Sequence, residues 1–231
     1  MTTAEGWTAA VRDRLAPGRL LPLGAAADGV WITERAARTV LDRAVSAVRG
    51  VVPGTLRVGP DPDADPGAEA AAPDAPPAPP GGLPPGPLRI TADFAAVAGR
   101  PLPELAEELR SALLGAAADG LGLPVAGVDL RVTDLLDTAP AAAGPAAPPP
   151  GRPSPATDDP VALAVLRVEG VAGVTDALGP PVRRGPDGGV RVELAVTAGR
   201  HPLDVARAVR NAVTAAAGGA TAVTVLVSEL R

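Results

Sequence analysis

A chain of 231 residues with a net charge of −5, whose 21 basic residues are all Arg and whose aromatics are two Trp and one Phe, has the wrong charge for a general nucleic-acid binder and little for bases to stack on. The absence of Cys removes disulfides, zinc thiolate sites and Cys nucleophiles, and the absence of Lys removes Schiff-base chemistry and the phosphate-loop lysine. No basic-then-apolar signal pattern opens the chain and no apolar run approaches the roughly 20 residues of a membrane helix, so a cytoplasmic protein without direct membrane insertion is expected.

Residues 1–30 read as an N-terminal segment, and a first α/β unit is expected over 31–136. In the segment Trp31 to Gly50, Thr33 is placed to cap a helix with Glu34 in its first turn. Ala37, Val40, Leu41, Ala44, Val45 and Val48 then form one apolar stripe, and Gly50 ends it. Val51 to Val58 reads as a strand. A Pro-rich insertion over 59–87 is expected to be solvated and disordered, because Pro removes backbone donors and Ala buries little area. Leu88 to Val97 alternates, with Ile90, Ala92, Phe94 and Ala96 on one face. After Gly99-Arg100-Pro101 a second helix carries Leu105, Ala106, Leu109, Ala112, Leu113 and Ala116. Gly120-Leu121-Gly122 closes that helix, and Val128 to Leu135 alternates as a final strand.

Residues 137–158 read as a Pro/Ala-rich linker, and the same element order returns over 159–231. Val161 to Glu169 reads as a helix, and Gly170-Val171 repeats Gly50-Val51. Val190, Val192, Leu194 and Val196 stand one hundred residues after Ile90, Ala92, Phe94 and Ala96, as Ala198-Gly199-Arg200 does after Ala98-Gly99-Arg100. Val223 to Leu230 tracks Val128 to Leu135, with Ser228 on Thr133. Four aligned elements in one order indicate an internal duplication. The expected fold class is therefore α+β: two tandem helix-strand-strand-helix-strand units, each a small three-stranded sheet covered by two helices. The free sheet faces of the two units are candidates to meet each other.

The run Trp31-Ile32-Thr33-Glu34 through Gly50-Val51, the strand Leu88 to Val97, Gly99, the helix Leu102 to Leu113 and Gly120-Leu121-Gly122-Leu123-Pro124-Val125 together resemble the alkaline-shock (Gls-type) envelope stress response family of Gram-positive bacteria. The resemblance covers the first unit without its insertion. The second unit departs from it, with Gly218-Gly219-Ala220 in place of the helix-ending motif. The Arg-for-Lys skew, with 27 Gly and 29 Pro, resembles the codon bias of a high-GC genome such as an actinobacterial one. What the resemblance implies is a non-catalytic, cytosolic interaction or scaffold protein linked to cell-envelope stress. Its partners would be other proteins or further copies of itself, with a membrane-anchored protein as one candidate.

Few residues offer chemistry. His201 is the only histidine, so a Ser-His-acid triad or a metal set would have to use it, and it is read instead as a solvent-exposed loop residue. Gly120-Leu121-Gly122 is read as a helix stop because Val125 stands where a dinucleotide fingerprint has its third Gly. The acids Asp61, Asp63, Asp65, Glu69 and Asp74 are read as solvating their Pro-rich setting, without the ordered spacing of a calcium loop. Trp31 is read as a core residue, and Trp7 as packing likewise. No catalytic residue, metal or cofactor is expected. The candidate partner or anion contacts are Arg100 and Arg200, at equivalent strand-to-helix loops, and Arg207 and Arg210, which make the last helix basic. A small anion- or metabolite-binding protein using the paired Arg loops is the alternative function.

Overall fold

The computed structural model describes residues 18–64, 76–138, 154–219 and 222–231, which form a mixed α+β arrangement of four α-helices and two sheets. The first described elements are a hairpin of β1 (Leu20–Leu23) and β2 (Val30–Thr33), every residue of which is buried. Its turn contains a short 3-10 helix at Ala26–Asp28. β2 runs into α1 (Glu34–Ala47) with no loop between them. Thr33 makes this possible: its backbone stays extended while its hydroxyl accepts the Ala36 N–H, satisfying one of the helix's first unpaired donors.

β3 (Val51–Pro60), β4 (Leu88–Val97) and β5 (Val125–Leu136) form a three-stranded sheet in that order, with α2 (Leu102–Leu121) crossing between β4 and β5. β4 buries Leu88, Ile90, Ala92, Phe94 and Ala96 and turns its alternate residues the other way. α1 presents Ala36, Ala37, Leu41 and Val45 to the core, and α2 presents Leu105, Leu109, Leu113, Ala117 and Leu121, a strict i+4 line. The helix stops where Gly122 turns left-handed (φ 82°) and its N–H reaches the carbonyls of Ala117 and Ala118.

The second unit runs α3 (Pro160–Val165), β6 (Val171–Val174), β7 (Val182–Arg184), β8 (Val190–Val196), α4 (Pro202–Ala216) and β9 (Val223–Leu230). Its sheet has six strands, in the order β1-β2-β9-β8-β6 with β7 also on β8. Both units use one connectivity: the first strand lies antiparallel to the second, and the second parallel to the third. They also share individual bonds. Val97 N donates to Gly50 O as Thr197 N does to Gly170 O, and Gly50 and Gly170 have φ of 86° and 89°. A bulge falls at Thr133 in β5 and at Ser228 in β9, and their hydroxyls donate to the carbonyls of Phe94 and Leu194, both at 3.2 Å.

Several expectations need correction. Trp31 to Thr33 is a strand, and β2 pairs in parallel with β9, so residues 30–33 belong to the sheet of residues 159–231 and not to a first unit starting at 31. The second sheet accordingly exceeds the expected three strands. In the insertion 59–87, Gly59 and Pro60 complete β3, while Gly81 to Leu83 lie along β1: Leu20 N donates to Gly81 O and Leu83 N to Leu20 O. Pro76 and Pro79 are buried as well. The helix expected over Val161 to Glu169 is regular only to Val165. The units do not meet through their free sheet faces; α1 packs against β9 and the end of α2 against the start of α4, giving one continuous apolar core. Residues 139–153 of the linker lie outside the described residues.

Candidate functional site

Each of the four candidate arginines has a partner within the chain. Arg100 lies 2.7 Å from Glu108 and donates to the Arg49 carbonyl. Arg200 lies 2.6 Å from Glu169. These two sit at matching loops, and both brace their loop against the preceding helix-to-strand turn or the following helix. Arg207 makes a two-pronged bond to Asp28, at 2.9 Å on each arm, and Arg210 donates to the Ala27 carbonyl. Arg207 and Arg210 are therefore clamps that hold the β1–β2 turn on α4. Burial works to raise the Asp28 carboxyl, but the Arg207 bond, the Ala25 N–H and the charges of Arg207 and Arg210 outweigh it and hold the group below its ordinary value.

His201 is not the solvent-exposed loop residue expected. It precedes α4 with its side chain 25% exposed, its Nε2 is 3.3 Å from the Ala118 carbonyl, and its Nδ1 is 3.1 Å from Asp204. It thus touches the end of α2, beside Gly122, whose N–H and carbonyl serve the helix end and Gly24 respectively. Gly120-Leu121-Gly122 does act as a helix stop. Trp31 is core, 1% exposed, packed with Leu20 and Leu226, and its Nε1 donates to Leu83 O at 3.0 Å. Asp61 and Asp63 grip Arg89 at 2.8 and 2.7 Å; Asp65, Glu69, Asp74 and Trp7 lie outside the described residues. Among the described residues no group of three or more His, Asp or Glu side chains is placed to hold a metal ion.

Glu193 is the ionisable residue that the strand pattern missed. It sits in β8 at a position where alternation points outward, yet only 2% of it is exposed, because the loop after β6 folds over it. Its Oε1 accepts the Thr175 hydroxyl and the Ala177 N–H, both at 2.8 Å, and its Oε2 accepts the Leu178 N–H at 2.9 Å. Burial raises this carboxyl above its ordinary value, against the hydrogen bonds that favour the charged form. Nothing local in the sequence marks it.

Open depressions lie on the surface of the described residues. One, of about 470 Å³, is lined by Glu34, Arg35, Arg38, Thr39 and Asp42 along α1 beside Gly18. Another, about 400 Å³, lies on the outer face of the three-stranded sheet and is lined by Thr55, Arg57, Thr91, Asp93 and Arg131. On that face Arg131 pairs with Asp93 at 2.9 Å. The adjoining strand β5 is mostly exposed, including Val132 at 40% and Leu135 at 65%, and among the described residues no strand pairs with its outer edge.

No known family, curated protein or solved structure matches this chain. No helix among the described residues is long and apolar enough to cross a membrane.

Proposed function

We propose that this chain is a non-catalytic interaction or scaffold protein of the cytoplasm, serving the response to cell-envelope stress. The observation that carries the interaction role is the open three-stranded sheet, which offers a polar outer face and an unpaired strand edge beside exposed apolar side chains. The carboxyl groups with shifted behaviour are in keeping with the same reading, since each is occupied in holding elements together: Asp28 with Arg207, Asp159 with Arg184, and Glu193 with its loop. The bonds common to the two units support one duplicated module as the source of both. The link to envelope stress rests on the sequence resemblance alone. Cross-linking in the host followed by affinity capture of the full chain tests the role: envelope or membrane-anchored proteins are expected among the captured partners. Capture of no protein at all would reject it. The paired-Arg anion site is not carried forward, because Arg100 and Arg200 each already meet a carboxylate.

A further inference from the structure

β5 and β9 are the third strands of their units and carry the same bulge. The outer edge of β9 is taken by β2, whereas the outer edge of β5 has no strand on it among the described residues. An edge of twelve residues with exposed apolar side chains is a template for strand addition. The side chains decide what fits it. Before its bulge β5 reads Val128-Asp129-Leu130-Arg131-Val132, a segment whose charges and shapes are complementary to itself when reversed about Leu130.

We propose that two copies of this chain associate through antiparallel pairing of their β5 strands, centred on Leu130, to form a continuous six-stranded sheet. This deepens the interaction role proposed above and rests on it. In that register Val128 lies opposite Val132 of the second copy, on the helix-covered face, and Asp129 lies opposite its Arg131 on the other face, each pair formed twice. A parallel in-register pairing would instead set Asp129 against Asp129 and Arg131 against Arg131, so the charges select the antiparallel arrangement. Arg131 is already aligned by Asp93, and Asp129 stands 3.6 Å from Arg89. The combined sheet therefore carries an alternating row of Asp93, Arg131, Asp129 and Arg89 across the junction. The pairing ends by the bulge: Leu135 N–H is already bonded to the Asp134 carboxylate.

Sedimentation velocity of the full chain over a concentration series tests this. The wild type is expected to show a concentration-dependent dimer. Asp129→Arg and Arg131→Asp each place like charges at both junction positions and should raise the dimer dissociation constant roughly tenfold or more. An equimolar mixture of the two variants restores opposite charges at both positions and should dimerise, as should the double variant D129R/R131D, which exchanges the charges within one chain. A wild type that stays monomeric, single variants that dimerise unchanged, or a mixture and double variant that both remain monomeric would overturn the proposal. A monomeric wild type that still captures envelope partners would sink this inference alone. A β5-dependent dimer that captures nothing but itself would leave it standing and remove the envelope role.

Discussion

Replacing Glu193 by Gln separates the cost of a buried charge from the hydrogen bonds that the carboxylate makes. Gln keeps an oxygen for the Thr175 hydroxyl and the Ala177 N–H, but turns an NH₂ toward the Leu178 N–H that Oε2 now accepts. Two donors facing each other leave a group unsatisfied, at about 1–3 kcal/mol. Against this, Gln removes the charge. Because folding raises the Glu193 pKa, the wild type's contribution from this group is full below the ordinary value of the unfolded carboxyl and declines as pH rises through the folded value. Each tenfold weakening of the acid on folding is worth about 1.4 kcal/mol at neutral pH. Urea unfolding followed by far-ultraviolet circular dichroism, at intervals from pH 4 to 8, should find Glu193→Gln less stable than wild type in acid. The gap should narrow steadily as pH rises. Asp28 and Asp159, whose lowered pKa values act with the opposite sign at lower pH, are common to both proteins and drop out of the difference. A gap that is constant, or that widens toward pH 8, would refute the burial argument.

Ile32→Ala, at a fully buried β2 position opposite Val227, should cost about 2–5 kcal/mol in urea unfolding. Leu163→Ala, at a position 41% exposed in α3, should cost well under half as much. A double-mutant cycle on Asp28 and Arg207 should give a coupling of about 0.5–1 kcal/mol, since Arg207 is half exposed, and the coupling should weaken in high salt. It should also fade as pH falls through the lowered Asp28 pKa, the direction required of a carboxylate stabilised on folding. Gly122→Ala should cost roughly 2 kcal/mol or more, because its left-handed backbone disfavours a Cβ that would also lie 2.7 Å from Leu203. Gly115→Ala, in the middle of α2 with only the Asp119 carboxylate nearby at 4.0 Å, should raise stability by about 0.5–1 kcal/mol. Thermal melts of the two glycine variants, shifting in opposite directions, would check both.

Where one face is buried and the period is short, the sequence was transparent. β4 has the bounds that its alternation indicates, because its even-numbered residues line the core and its odd-numbered residues do not. The Thr33 cap and the Gly122 stop were legible for a different reason: each is a bond between near neighbours in the chain. The hairpin β1–β2 was not legible. Its two strands are four residues each, one holds a Pro, and the other runs directly into a helix pattern, so no period can develop. Its pairing with β9 joins residues about 195 positions apart, as the Thr33 hydroxyl to Ser228 carbonyl bond shows, and leaves no local trace. The arginine partners were hidden in the same way, with Arg207 and Asp28 separated by 179 positions. Glu193 went unmarked because alternation reports which way a side chain points, and cannot report that a loop lies over it.

The hairpin also explains why two units of one connectivity come to present different surfaces. β2 pairs with β9 of the second unit and continues without interruption into α1, which packs on α2 and β3 of the first. A boundary drawn at residue 31 would cut through that element, and separating the halves would expose Leu21, Leu23, Val30 and Ile32, all members of the shared core. Burying each such side chain contributes about 1.5–3 kcal/mol, and together they rival the whole stability of an ordinary domain. The edge of β9 is therefore committed to holding the chain together, with Arg207 and Arg210 fastening the turn of the same hairpin. No equivalent strand covers β5 among the described residues, so the outer edge of the first unit's third strand has no such commitment there.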